Sequence, residues 1–265
     1  MSISYEPVLP SITGPQFNEK EHSYRWKDWI LPSVSHILEE TGIREPFDTT
    51  YWKRSLIRKG FSDEEAEEEM ERVRNEATHR GTLVHLGIEH RCQGREYQPP
   101  MMVGSEEILE QFMPWFEKFA EEYELGTVYL TEQALIQPVG HYCGTVDCVA
   151  ETKLGLMAID WKTIKACRKG KREKWQKYQL AAYVGAINCT FDLEVLQAMN
   201  VQIGPDGFNV VVHEPNELLS AWTTLKGLLK DYWEIRHSHK EYHSPGLAAA
   251  ALQTITETWG PWEEQ

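Results

Sequence analysis

Apolar and polar positions change period along the chain, and each change marks an element. Residues 126 to 137, GTVYLTEQALIQ, are rich in β-branched and aromatic residues and predict a strand. Cys143 to Glu151 and Leu156 to Thr163 carry the apolar runs VCVA and LMAI about a turn at Lys153 and Leu154, which predicts an antiparallel hairpin. VLQAMNVQIG and GFNVVVHE predict two more strands, joined by a turn at Gly204-Pro205-Asp206-Gly207. Helical spacing takes over elsewhere. Ser62 with Glu65 forms a capping-box pattern at the head of a long helix, SDEEAEEEMERVRNEATHRGTLVHLGIEHRC. Residues 105 to 123 place Ile108, Phe112, Trp115, Phe116 and Phe119 on one side of a helix that Pro114 is expected to kink or divide. EKWQKYQLAAYVGAIN and the stripe Leu218, Trp222, Leu225, Leu229, Tyr232 predict two further helices.

The ends are less periodic. EHSYRWKDWILPSVSHILEE predicts two short strands about Lys27 and Asp28, then a helix capped by Ser33 or Ser35. Tyr24, Trp26 and Trp29 are expected to pack on the domain, the alternative being a surface on which bases stack. The tail from Ser244 predicts a short helix and a loose end with Trp259 and Trp262, the alternative being a docking segment for a protein partner. The expected class is α/β, a mixed central sheet of about five strands flanked by helices, with an N-terminal helical elaboration. It is divided as a hairpin and helix elaboration over 1–60, a core over 61–243 and a tail over 244–265.

The hairpin carries the sharpest inference. In its expected register, paired residue numbers sum to 307, so Asp147 faces Asp160 at about 5 Å. Like charges there are destabilising unless a partner such as a divalent cation compensates them. A slip of one residue would separate them. Period two also puts Asp160 and Lys162 on one face, with Ile159 and Trp161 buried on the other. Gly81 and His85 lie four apart on one side of the long helix, the glycine permitting close approach one turn from the imidazole. Taken alone, His85 reads more readily as a satisfied core histidine. Gln179 and Tyr183 share a stripe with Trp175 and, taken alone, read as a polar edge.

Charge changes this picture. The 265 residues carry a formal net charge of −14, which argues against a surface that coats nucleic acid generally. Residues 162 to 177, however, hold eight cations, Lys162, Lys165, Arg168, Lys169, Lys171, Arg172, Lys174 and Lys177, against Glu173 alone. That local +7 leaves −21 for the rest, and phosphates need positive charge only along their path. Five cysteines without a C-x-x-C pair predict reduced, mostly buried thiols and no iron–sulfur cluster. No apolar run suggests a membrane span or a secretory signal, so the expected compartment is the cytoplasm.

In order and in predicted context, four motifs resemble the PD-(D/E)XK nuclease superfamily, RecB-like exonuclease branch. They are G-T-L-V-H at Gly81 to His85, G-T-V-D at Gly144 to Asp147, D-W-K-T at Asp160 to Thr163 and Q-L-A-A-Y at Gln179 to Tyr183. The resemblance covers roughly residues 76 to 190. The last motif is similar to that of mitochondrial genome-maintenance exonucleases, and the N-terminal hairpin resembles the opening of phage-encoded members. The cysteines do not match the four-cysteine cluster of the branch's CRISPR-associated members. The resemblance implies a restriction-endonuclease-like core in which His85, Asp147, Asp160 and the backbone carbonyl of Trp161 bind one or two Mg²⁺ or Mn²⁺ ions. It further implies that Lys162 orients or deprotonates the attacking water, that Gln179 and Tyr183 position Lys162 or the phosphate, and that Glu132 is a candidate for a second metal. The implied substrate is DNA, single-stranded or with a free end, in the host cytoplasm if phage-encoded. The basic run, Lys165, Arg168, Lys169, Lys171, Arg172, Lys174 and Lys177, is then expected to guide its backbone, the alternative being a solvated loop whose charges keep the chain soluble. An endonuclease with the same site and a non-cleaving DNA-binding or assembly module are the alternatives.

Overall fold

A computed structural model describes residues 3–18, 20–21, 23–45, 48–97, 104–167, 173–239 and 246–255. In chain order the elements are β1 (Ser4–Tyr5), β2 (Gln16–Asn18), β3 (Ser23–Trp26), β4 (Trp29–Leu31), α1 (Val34–Glu40), α2 (Thr49–Arg58), α3 (Asp63–Cys92) and α4 (Ser105–Glu122). There follow β5 (Thr127–Gln137), β6 (Tyr142–Thr152), β7 (Gly155–Thr163), α5 (Gln176–Thr190), β8 (Gln197–Gly204), β9 (Gly207–His213), α6 (Pro215–His239) and α7 (Leu247–Thr254).

The central sheet is mixed and has six strands in the order β1-β5-β6-β7-β8-β9. The expectation of about five missed β1, whose two residues are too few to show a period; it adds to β5 in parallel. β5, β6 and β7 form an antiparallel meander, β8 joins β7 in parallel, and β9 closes the sheet antiparallel to β8. The parallel step requires a crossover, which α5 supplies.

Each sheet face is covered by helices because each face is apolar. On one side, Val84 and Ile88 of α3 with Phe112, Phe116 and Phe119 of α4 pack on Cys148, Met157, Ile159 and Trp161. Across the sheet, Leu180, Val184 and Ile187 of α5 meet Ala158 and Val149, and α1 and α6 cover that helix in turn. α5 is apolar nearly all round, as a helix enclosed on every side must be. The small residue Gly185 lets it close on α6, for a methyl group there would stand 2.5 Å from the Trp222 ring.

The N-terminal segment packs on the domain. Ser33 caps α1 by accepting from the His36 N–H, and Ser62 and Glu65 form the capping box of α3. Tyr24 and Trp26 are buried in the core, and Trp29 is partly buried against it. The N-terminal hairpin gains a third strand, β2. α7 tucks Leu247 and Ala251 into the core, while Trp259 and Trp262 lie outside the described residues. Pro114 does not divide α4, which runs unbroken from Ser105 to Glu122. The buried phenylalanines on either side of the proline hold the helix against the sheet at the cost of one backbone hydrogen bond. All five cysteines are free, and Cys92, Cys143 and Cys148 are buried.

Candidate functional site

Three neighbouring strands bring three acids together. The β6–β7 ladder pairs Cys148 with Ile159 and Val149 with Ala158, the register in which residue numbers sum to 307. The ladder ends at Cys148–Ile159, one pair short of Asp147 and Asp160, so the expected facing of the two acids is not a ladder pair. There the Asp147 side chain takes the strand's own donor, its Oδ2 accepting from the Trp161 N–H at 2.7 Å. On the other flank, the pairs Thr131–Cys148 and Gln133–Val146 bracket Glu132 and Asp147. Glu132 itself sits at φ 44°, a left-handed backbone that only the surrounding structure can impose on a glutamate within a strand. Such strain, of order 1–3 kcal/mol, collects at functional positions.

His85 arrives from α3. Its Nδ1 lies 3.0 Å from Glu132 Oε1 and 3.9 Å from Asp147 Oδ2, and its Nε2 lies 3.1 Å from the Trp161 carbonyl oxygen. One donor atom from each of His85, Glu132 and Asp147 therefore falls within 4.8 Å of the others. Asp160 stands beside this group rather than in it. Its Oδ1 accepts from Lys162 Nζ at 2.7 Å and its Oδ2 from Asn200 Nδ2 at 2.8 Å. Asp160 is 2% exposed, whereas the Lys162 side chain is 32% exposed and reaches toward solvent.

The charges reinforce one another. Burial, then the Asp160 charge, raises the Asp147 carboxyl to about 7 against the pull of His85 and Lys162. Burial alone would lower the His85 imidazolium, but the Glu132 hydrogen bond and the charges of Asp147 and Glu132 outweigh it and raise the pKa to about 9. Lys162 behaves likewise: burial pulls it down, and Asp160 and Asp147 hold its proton more firmly. Both His85 nitrogens face acceptors, which suits the protonated ring.

The Gln179–Tyr183 pair forms one wall. Gln179 Nε2 donates to the Tyr183 hydroxyl at 2.9 Å, and the buried Gln179 Oε1 has no partner among the described residues. Burial, then Asp160 and Asp147, pushes the Tyr183 phenol well up. Tyr183 lies against Gly144, where a methyl group would stand 2.6 Å from its ring, so two of the motifs meet directly. The close approach expected at Gly81 is not required by the protein itself, since a methyl group there would meet Thr163 Oγ1 at an ordinary 3.6 Å. Of the basic run, Lys165 and Lys174 are exposed and Lys177 lies over the Tyr178 ring at 5.1 Å. Arg168, Lys169, Lys171 and Arg172 lie outside the described residues.

Three neighbours of the site went unnoticed in the sequence. Asn200 and His213 are polar residues inside the apolar runs AMNVQI and VVVH, a signal open to reading. Arg44 stacks on Trp175 at 4.7 Å, and its charge acts on Lys162; nothing local marked it.

The chain is similar to mitochondrial genome maintenance exonuclease 1. Identity to the Xenopus tropicalis protein is 27% over 168 residues, 60% of this chain and 43% of that protein. The Mus musculus protein is 26% identical over 205 residues, 76% of this chain and 57% of its own length. The chain thus spans about half the length of these relatives. No family model matches it. A solved structure, SSO0001, aligns over 47% of this chain and 59% of its own at 17% identity, with a TM-score of 0.29, too slight a likeness to bear on the fold.

Proposed function

We propose that the chain is a Mg²⁺- or Mn²⁺-dependent deoxyribonuclease that hydrolyses DNA phosphodiesters from an end, preferring single strands. The observation that carries this reading is the group of three buried or half-buried acids on adjacent strands, joined by His85 and by Lys162. Its donors suit a hard divalent ion. Carboxylate oxygens predominate, and His85 Nδ1 and Glu132 Oε1 stand 3.0 Å apart, which matches the separation of about 3 Å between adjacent ligands of an octahedral ion. The carboxylates that raise the His85 pKa to about 9 favour positive charge at this point, which a divalent cation could supply in place of the proton. His85, Glu132, Asp147 and the Trp161 carbonyl would hold such an ion. Asp160, which stands beside them, would be drawn in through the lone pairs that Lys162 and Asn200 leave over.

When bound, divalent ions stabilise the entering and leaving oxygens of an in-line displacement at phosphorus. The chain's own residues do the rest. Lys162, fixed by Asp160 and partly exposed, presents an ammonium to the scissile phosphate or to the attacking water. Its raised pKa makes it an orienting cation first, and a base only where the charges of Asp147 and Asp160 are neutralised. Gln179 offers its unpaired Oε1 and holds the Tyr183 hydroxyl beside the acids. The distant similarity to mitochondrial genome maintenance exonuclease 1 supports the exonuclease reading.

The test uses labelled DNA of both polarities, single- and double-stranded, with a circular single strand as control, in Mn²⁺ or EDTA. Linear single strands should be degraded and circles spared. Asp160→Ala and Lys162→Ala should lose at least about a hundredfold in rate. Cleavage of circles would make the protein an endonuclease; equal activity in the two variants and wild type would end the nuclease reading.

A further inference from the structure

We infer that Asn200 and His213 are positioning residues that fix the Asp160 carboxylate, an inference that rests on the metal-site reading above. Asn200 on β8 is the register partner of Asp160 on β7, and both Asn200 and His213 are fully buried. A carboxylate can only accept, so the Asn200 amide must turn its nitrogen to Asp160 Oδ2, at 2.8 Å. That leaves Asn200 Oδ1 facing His213 Nε2 at 2.8 Å, and the imidazole must present an N–H there. On its far side, His213 Nδ1 lies 3.4 Å from Glu217 Oε2, in the first turn of α6.

The chain of partners has one direction. Lys162 donates to Asp160, Asn200 donates to Asp160, and His213 donates to Asn200. A flipped Asn200 would set oxygen against carboxylate oxygen and N–H against N–H, so His213 locks the amide and the amide locks the acid. Removing either partner leaves a buried polar group unpaired, which is costly. An apolar pair would fill these strand positions at less expense if packing were their whole task. What the polar pair adds is a carboxylate held in one orientation, each oxygen accepting one of the bonds described and keeping a further lone pair. Partners beyond the ligands act in this way on metal affinity.

The experiment measures Mn²⁺ binding to the full chain by calorimetry and by Mn²⁺ spin resonance, beside thermal unfolding, for wild type, Asp160→Asn, Asn200→Leu, His213→Leu and His213→Gln. Asn200→Leu and His213→Leu should weaken Mn²⁺ binding by about 10- to 100-fold. His213→Gln, whose amide N–H can still reach Asn200 Oδ1, should restore affinity toward wild type. A merely structural role would lower the unfolding temperature without this pattern of loss and rescue. Should Asn200→Leu fail to fold, the two His213 variants decide, being one hydrogen bond further from the acid. Wild-type affinity in folded His213→Leu, or a loss in His213→Gln equal to that in His213→Leu, overturns the inference while leaving the metal reading intact. If Asp160→Asn binds Mn²⁺ as tightly as wild type, this inference fails while the metal reading stands; if wild type binds no Mn²⁺, the metal reading fails and this inference with it.

Discussion

Asp147 and His85 hold protons more tightly in the folded chain than they do in an unfolded one. Asp147 rises from an ordinary 3.8 to about 7, through burial first and the Asp160 charge second. His85 rises from 6.5 to about 9, because Glu132 and Asp147 outweigh the opposing effect of burial. A folded state that binds more protons than the unfolded state loses stability as pH rises. The Asp147 contribution is fully present below about pH 4 and lost through pH 7. The His85 contribution is fully present below pH 6.5 and lost through pH 9. Both act in the same direction, so protein in EDTA should unfold at progressively lower temperature from pH 6 to pH 9. An ion bound as proposed would compete with these protons, so the stabilising effect of Mn²⁺ should grow over the same range and its binding should release protons. Unfolding curves in EDTA and in Mn²⁺ at several pH values test this; a metal increment that shrinks as pH rises would contradict it.

At the scale of elements, the β6–β7 hairpin was legible because its acids interrupt two apolar runs about an evident turn. That pattern admits one register that keeps both apolar faces buried. The caps of α1 and α3 were legible for a local reason, since a serine with its partners three residues on specifies them. What escaped was set by distant parts of the chain. The left-handed backbone at Glu132 has no sequence mark, being imposed by the strands around it. The pairing of Asn200 with Asp160 depends on a parallel register across the α5 crossover, which no local period reveals. Glycines show the same division. Gly144 in β6 touches Tyr183 in α5, and an added methyl group at 2.6 Å from that ring has no room, since Gly185 already seats α5 against Trp222. Gly144→Ala should therefore destabilise the protein by roughly 1–3 kcal/mol, the usual cost of overpacking. Gly81→Ala, with an ordinary 3.6 Å contact in α3, should instead be neutral or stabilise by up to about 1 kcal/mol through helix propensity. Chemical denaturation of both variants checks the pair, and the opposite order of stabilities would refute the packing assigned to Gly144.

For the whole molecule, the segregated charge has a consequence for binding. A chain of net charge −14 should repel DNA over most of its surface, yet residues 162 to 177 hold eight cations in the stretch of sequence that starts at Lys162. Two of these, Lys165 and Lys174, are exposed, and Lys162 is partly so. DNA affinity should then come from a short path of phosphate contacts and fall steeply with salt, because each neutralised phosphate releases condensed counterions. For single strands the slope of log affinity against log salt is about −0.7 per contact. Lys165→Gln and Lys174→Gln, placed on this path and away from the acids, should each flatten the slope by somewhat less than one and raise KM. Their kcat should stay near that of wild type, since both side chains are exposed and neither belongs to the group of His85, Glu132 and Asp147. Binding titrations of a single-stranded oligonucleotide across a salt series, in Ca²⁺ to hold the acids without turnover, measure the slopes directly. An unchanged slope in both variants would move the DNA path off the basic run, and the −21 carried by the rest of the chain would leave it few other places to go.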